Sequence, residues 1–231
     1  MAWLAAGVWL ALAAVNASPE GPALAARLAG LAGGPSAKVL DAAVKAYDEA
    51  IRRGVVERAG LLTIVDYTRP SIEPRLWVLD LNVGKVIFHE LVAHGRGSGE
   101  NVTRAFSNVP GSLMTSLGLF VTDAPYVGRN GYSLRLRGLE AGVNDKAFER
   151  AIVVHGAPYV SRAVAAELGR LGRSLGCPAV RTDVARALID TIRGGTVFYA
   201  YGEPSTPNAG AVARGSGMDA RAHPGGGGGG Q

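Results

Sequence analysis

Apolar residues near the start of the chain recur with the period of an α-helix. Four of them lie three or four residues apart: Leu40, Val44, Tyr47 and Ile51. This spacing places them on one face of a helix. Ser36 before them is a typical N-cap residue, and Gly54 after them is typical of a helix end. We therefore predict one amphipathic helix here, packed at the edge of the folded unit.

From residue 60 onward, the apolar residues occur in short runs rich in β-branched and aromatic side chains. The runs at 75–81 and 85–93 are separated by Asn82-Val83-Gly84, which predicts a β-hairpin. Further strands are predicted at 118–122, 132–137, 150–155 and 196–201. Short strands joined by glycine-containing turns favour a mainly β fold, of the β-sandwich or barrel-like type, with a few flanking helices.

The two ends of the chain lack the pattern of a folded core. Residues 1–17 are apolar and uncharged and end in Val15-Asn16-Ala17, as at a signal-peptidase site. We predict a cleaved export signal there, with an uncleaved anchor or a non-exported start as alternatives. Residues 18–35 predict a linker, and the glycine-rich residues 205–231 predict a disordered tail. The folded domain is therefore expected at 36–204.

Composition limits the partners of this domain. The chain has 231 residues, of which 48% are hydrophobic, enough for one well-buried domain. The net charge of +5 favours anionic surroundings. The basic residues are scattered, however, without the continuous block or the motif typical of a nucleic-acid-binding protein. We expect no nucleic-acid partner and interpret the charge as a solvated surface that favours acidic polymers.

The single cysteine, Cys177, excludes a disulfide within the chain. A lone cysteine is most often a small buried hydrophobic residue, so a catalytic role has to be argued from its neighbours. The four histidines, His89, His94, His155 and His223, lack the spacing of a zinc cluster. We therefore predict neither a metal nor another cofactor.

Two segments carry the residue types needed for nucleophilic catalysis. An apolar run over 151–154 ends in His155-Gly156, which predicts a buried strand that presents an imidazole at its end. A glycine-containing loop at 172–176 leads to Cys177. Cysteine and histidine form the nucleophile and base of one class of acyl-transfer enzymes. The alternative is a structural histidine and a buried thiol, and spacing alone leaves both open.

The residues around Cys177 predict how a thiolate and an oxyanion are stabilised. Pro178 is favoured in the first turn of a helix. Four apolar residues follow at helical spacing: Val180, Val184, Leu188 and Ile192. The positive end of such a helix favours a thiolate, so we expect a lowered pKa for Cys177. Gly176 permits a tight turn, and the N–H groups of Gly176 and Cys177 are expected to point at an oxyanion.

The two segments together resemble the murein L,D-transpeptidase catalytic domain family, of the YkuD type. That family has a His-Gly pair at a strand end and, further along, Ser-x-Gly-Cys; here these are His155-Gly156 and Ser174-Leu175-Gly176-Cys177. The resemblance extends over about residues 38–202 and includes the loops at 92–99 and 107–112. One position departs from the pattern, because many members have histidine where this chain has Leu175. Oxyanion stabilisation would then depend more on backbone N–H groups.

The resemblance implies an L,D-transpeptidase-like catalytic domain with the corresponding mainly β fold. Cys177 would attack a peptidoglycan stem tetrapeptide between an L- and a D-centre, and His155 would take the thiol proton and pass it to the leaving amine. A carbonyl near Gly156 would hold the imidazole. An acceptor amine would then resolve the thioester into a cross-link. The alternatives are a carboxypeptidase or endopeptidase that uses water instead, and a non-catalytic cell-wall binding domain.

Further residues of the site and the location of the protein are also predicted. Ser174 is expected to fix the nucleophile loop by hydrogen bonding. His94, Arg173 and Tyr159 are candidate substrate contacts, with a solvent-facing histidine, an exposed loop charge and a core tyrosine as the respective alternatives. We expect export to the bacterial periplasm or cell envelope and transient association with the membrane or envelope. The oligomeric state is left open.

Overall fold

The computed structural model describes residues 33–203 together with five residues before them: Leu24, Ala26, Leu28, Gly30 and Leu31. The predicted export signal at 1–17 and the predicted tail at 205–231, which includes His223, lie outside the described residues. No helix within the described part of the chain is both long enough and apolar enough to cross a membrane.

The predicted N-terminal helix is confirmed as α1 (Ala37–Arg52). The Ser36 hydroxyl accepts a hydrogen bond from the Val39 N–H, so it caps the first turn as expected. Gly54 follows the helix with a φ of +64°, a conformation that suits glycine. The helix buries its apolar face, including Val44 and Tyr47, against the sheet.

In the part of the chain that the structure describes, nine strands form one mixed sheet. They are β1 (Leu61–Asp66), β2 (Leu76–Asp80), β3 (Lys85–Glu90), β4 (Val92–Ala93), β5 (Gly118–Gly128), β6 (Gly131–Gly138), β7 (Val153–Gly156), β8 (Ala179–Val180) and β9 (Val197–Tyr201). Their order is β3-β2-β1-β9-β5-β6-β7-β8-β4. The pairs β1–β9 and β7–β8 are parallel, and the others are antiparallel. The sheet curls into a nearly closed barrel-like form, so the predicted mainly β fold is confirmed.

The predicted strands are present, and the hairpin of β2 and β3 has the expected turn. The strand predicted at 118–122 is longer in the structure, where β5 continues to Gly128. Asp123-Ala124-Pro125 has the composition of a turn, but the register with β6 shifts between Thr122 and Pro125. A bulge therefore accommodates these residues without ending the strand.

Alternation along the strands sends side chains to two apolar layers. On β1 and β2, Leu62, Ile64 and Trp77 pack towards α1, while Val65 and Val78 point into the barrel-like interior. The helices α2 (Arg162–Leu168) and α3 (Thr182–Ile192) also flank the sheet. The buried face of α3 covers the interior layer.

Two sequence expectations about element boundaries need correction. Leu24 and Leu28, assigned to a linker, are helical and only 1% exposed in the layer beneath α1, so packing begins before residue 36. The helix expected directly after Cys177 begins only at Thr182. Ala179 and Val180 instead pair with β7 and β4, because these small and β-branched side chains fill a buried sheet position.

Candidate active site

Five residues singled out from the sequence line one open cleft with a volume of about 360 Å³: His155, Tyr159, Arg173, Ser174 and Cys177. Leu175 also lines the cleft, as do four residues that the sequence did not indicate as part of the site: Arg129, Asn130, Arg150 and Ala151. A volume of this order is typical of small-molecule and peptide sites.

The sheet brings the histidine and the cysteine together. His155 lies near the end of β7 and is the partner of Ala179 in the parallel pair β7–β8. Cys177 stands two residues before Ala179, at the entrance to β8. The thiol therefore comes from a loop that runs beside the end of the strand that carries the imidazole.

The imidazole of His155 has a defined orientation. Its Nδ1 lies 3.0 Å from the carbonyl oxygen of Gly156. Because a carbonyl only accepts, Nδ1 carries the proton and Nε2 keeps the lone pair. Burial lowers the pKa of His155, opposed by this hydrogen bond, so the ring is neutral at neutral pH. The neutral tautomer with a free Nε2 is the form that a general base requires.

Ser174 fixes the cysteine loop, as expected. Its hydroxyl donates to the Cys177 carbonyl (2.7 Å) and accepts from the Gly176 N–H (3.1 Å). Its own N–H donates to the His94 carbonyl (2.9 Å), and its carbonyl accepts from the Arg96 N–H (2.8 Å). The expectation that the Gly176 N–H points at an oxyanion is therefore wrong, because that donor already serves Ser174.

Gly176 is required by its backbone and its surroundings. Its φ is +131°, a region that side-chain-bearing residues rarely adopt. A Cβ there would lie 2.9 Å from the Met114 carbonyl oxygen and 3.1 Å from Ile152 Cδ1. The loop thus approaches the backbone of a neighbouring segment too closely for any other residue.

The Cys177 thiol sits in the cleft wall, with the residue 9% exposed. Its Sγ donates to the Ala151 carbonyl at 3.6 Å. Burial raises the pKa of the thiol, while a backbone N–H at Val153 and the charge of Arg150 oppose that shift. The expected lowering by a helix dipole is wrong, because α3 starts four residues beyond Pro178 rather than at it. Both members of the pair are therefore neutral at rest.

Arg173 and Tyr159 both line the cleft, but Arg173 is held by polar contacts and Tyr159 by packing. Arg173 donates to the Gly99 carbonyl (3.1 Å) and pairs with the Glu100 carboxylate (2.6 Å), so its charge is largely engaged. Tyr159 packs against Gly172, where a Cβ would lie 2.4 Å from the Cβ of the tyrosine. Burial raises the pKa of Tyr159 to about 12, so the phenol is neutral.

His94 does not line the cleft, which corrects its assignment as a substrate contact; nor does it face solvent. It is 1% exposed. Its Nδ1 lies 2.8 Å from the Arg75 guanidinium and must accept, so Nε2 carries the proton that it donates to the Gly99 carbonyl (3.3 Å). Burial, followed by the charge of Arg75, lowers the pKa of His94 to about 4. The ring is therefore a neutral structural group between Arg75 and the Gly99 carbonyl.

Sequence reasoning missed Arg150, Arg129 and Asn130. Arg129 and Asn130 occupy the turn between β5 and β6 and reach the cleft only because that hairpin is long. The partners of Arg150 lie 34 to 43 residues earlier in the chain, so no local pattern identifies it. Within the described residues, no group of three potential His, Cys, Asp or Glu ligands is placed to hold a metal ion.

The family model described as L,D-transpeptidase catalytic domain matches residues 32–201, and the chain belongs to this family. No curated protein matches the sequence.

Solved structures with a similar fold include an L,D-transpeptidase from Mycobacterium smegmatis (16% identity, 62% of this chain and 59% of that chain, TM-score 0.38). L,D-transpeptidase 1 from Mycobacterium tuberculosis is also similar (15%, 62% and 62%, 0.36). A third is the helical cell shape determining protein Pgp2 from Campylobacter jejuni (12%, 65% and 50%, 0.42). The matched regions span less than two thirds of the length of these proteins.

Proposed function

We propose that this protein is a peptidoglycan L,D-transpeptidase in which Cys177 is the nucleophile and His155 the general base. The observation that carries the proposal is the shared cleft, where the thiol and an imidazole held through Nδ1 by the Gly156 carbonyl both line the wall. Membership of the L,D-transpeptidase catalytic domain family supports the reaction class. Stem peptides of peptidoglycan are the substrate that this family implies.

The neutral resting states determine the order of proton transfer. As Sγ bonds to the carbonyl carbon of the stem peptide, Nε2 of His155 takes the thiol proton. The tetrahedral intermediate then expels the D-centre amine, which receives that proton, and a thioester remains on Cys177. An acceptor amine from a second stem attacks the thioester, loses a proton to His155, and releases the cysteine as a thiol.

The developing oxyanion needs a donor that the loop does not already use. The Cys177 N–H donates to no acceptor within the described part of the chain, in contrast to the Gly176 N–H. We assign the oxyanion contact to the Cys177 N–H. Leu175, where many family members have histidine, is 61% exposed and contributes no polar side-chain group.

Intact mass spectrometry of the full chain with a disaccharide-tetrapeptide tests the proposal. The expected adduct on Cys177 is the stem less its terminal D-residue, and an added acceptor amine should convert it to a cross-linked product. Cys177→Ala should give neither, while its circular dichroism spectrum stays that of the wild type. Labelling of Cys177 by a carbapenem is a second expected result.

The same experiment separates the alternatives. If the adduct forms but an acceptor amine leaves the product unchanged, water resolves the thioester and the protein is a hydrolase. If no adduct forms although stem peptides bind, the domain is a non-catalytic cell-wall binder. We also propose that the protein acts in the cell envelope, where peptidoglycan lies; a mature protein that still carries residues 1–17 after export would contradict cleavage of the proposed signal.

A further inference from the structure

Arg150 attaches one segment of the chain to the wall of the cleft. Its guanidinium donates four hydrogen bonds, all to the segment 107–116: Nη1 to the Ser107 carbonyl (2.6 Å) and to Ser116 Oγ, and Nη2 to the Met114 carbonyl (2.6 Å) and to Ser112 Oγ (3.2 Å). All four acceptors are neutral. Within the described residues Arg150 has no carboxylate partner, so its positive charge is not neutralised by an ion pair.

The same guanidinium lies close to the cysteine loop. Nη2 lies 3.4 Å from the position that a Cβ on Gly176 would take, and Arg150 lines the cleft together with Cys177. The segment that Arg150 holds is the one whose Met114 carbonyl presses against Gly176. Arg150 therefore lies beside the residue before the thiol and holds the segment whose Met114 carbonyl packs against that residue.

The next residue adds to this arrangement. Ala151 has a φ of +52°, and its carbonyl accepts the hydrogen bond from the thiol. Leu113, in the segment that Arg150 holds, is the other non-glycine residue with positive φ in the described part of the chain, at +60°. Such backbone strain persists only where surrounding contacts enforce it. The four bonds of Arg150 connect the segment that contains Leu113 to the residue directly before Ala151.

We infer that Arg150 is a positioning residue, which fixes the cysteine loop through the segment 107–116 and supplies the positive charge that favours the Cys177 thiolate. The inference rests on the proposed role of Cys177 as nucleophile. It accounts for how a thiol without a helix terminus beside it becomes reactive.

The other charged and titratable groups around the thiol do not stabilise the Cys177 thiolate in the same way. In the cleft, His155 and Tyr159 are neutral, and Arg173 is paired with Glu100. Arg129 stands on the exposed turn between β5 and β6. Beneath the thiol, Tyr67 is buried and neutral, since burial raises its pKa. Among the cations of the described residues, Arg150 is the one whose charge lowers the pKa of Cys177 against the effect of burial.

The test is the pH dependence of Cys177 alkylation by iodoacetamide, followed by intact mass in the full-length protein. Arg150→Gln should raise the midpoint of the alkylation profile by about one pH unit, so that the rate at neutral pH falls about tenfold. Arg150→Lys keeps the charge and should recover most of that rate, although it lowers the thermal midpoint. Arg137→Gln removes an exposed charge from β6 and should leave the alkylation profile unchanged.

A folded Arg150→Gln protein with the wild-type alkylation midpoint would overturn the inference, as would an equal shift in Arg137→Gln. If Arg150→Gln does not fold, Ser112→Ala decides. It removes one acceptor of Nη2 without changing any charge, and the alkylation rate at neutral pH should fall about twofold; no change overturns the positioning role. Alkylation needs no peptidoglycan, so the two proposals can fail separately. If Arg150→Gln shifts the alkylation midpoint as expected but no acyl-enzyme forms with a stem peptide, the proposed function is rejected and the role of Arg150 is not.

Discussion

Two histidines of this protein have nearly the same sequence context and burial but different surroundings. His94 follows β4 and His155 lies in β7, and each is preceded by two small or β-branched apolar residues and followed by glycine. They are 1% and 5% exposed, respectively. The two strands even flank the same neighbour, because Ala179 of β8 pairs with Ala93 on one side and with His155 on the other.

The difference lies in the ring nitrogens. Both nitrogens of His94 are engaged, one by Arg75 and one by the Gly99 carbonyl. His155 uses only Nδ1, and its Nε2 has no hydrogen-bond partner within the described residues. A proton can therefore be taken up by His155 without breaking an existing contact, whereas at His94 it would set a cation against the Arg75 guanidinium. Burial alone therefore does not distinguish the two rings, and the unused nitrogen at the cleft is the reason that His155 is the proposed base.

The largest expected effect comes from exchanging these two rings for amides. His155→Gln should lower the rate of acyl-enzyme formation about 10³-fold, because no group then accepts the thiol proton. His94→Asn keeps an acceptor for Arg75 and should lower that rate by less than about tenfold. The measurement is the time course of the thioester adduct by intact mass. Equal losses in the two variants would show that the comparison is mistaken.

A second expectation concerns stability at acid pH. The pKa of His94 is about 4 in the folded protein, against about 6.5 when unfolded, so the unfolded state binds the extra proton first. Stability is therefore fully present above about pH 6.5 and is lost as the pH falls towards 4, by on the order of 3 kcal/mol. Urea unfolding across this range measures it. In His94→Asn this part of the pH dependence should disappear; an unchanged slope would contradict the assignment.

The contrast also shows where sequence reasoning succeeds. His155-Gly156 was placed correctly at a strand end, since apolar runs and turns report on regular pairing. His94-Gly95 gives the same local signal, and its different role comes from Arg75, nineteen residues away. Pro178 and the apolar residues that follow it predict a helix that begins at the thiol, but the helix begins only at Thr182. Pairing of Val180 with Gly156 overrides that local preference, and no local pattern reveals it.

The third expectation compares two buried hydroxyls near His155 and Cys177. Ser133 pairs with His155 in the regular ladder between β6 and β7, while Ser174 joins Gly176 to the Cys177 carbonyl. Ser174→Ala leaves that donor and that acceptor unpaired, so acyl-enzyme formation should slow about tenfold. Ser133→Ala should change that rate by less than about twofold, because the ladder itself holds the strand. Rates from the same intact-mass assay test both; a larger loss in Ser133→Ala would mean that the ladder, not the loop, limits reactivity.

The smallest expected effect is on the pH dependence of acyl-enzyme formation. Burial lowers the pKa of His155, and only its neutral ring accepts a proton, so the rate should fall on the acid side with a midpoint below the usual value of histidine. Because the acid limb belongs to His155, His94→Asn should leave its midpoint within about 0.3 pH units of wild type. Circular dichroism at each pH must first show that both proteins remain folded, since His94 affects stability in the same range. A clear shift of the acid limb in folded His94→Asn would mean that the structural histidine also controls the protonation of His155. The connection would be the hydrogen bond from the Ser174 N–H to the His94 carbonyl.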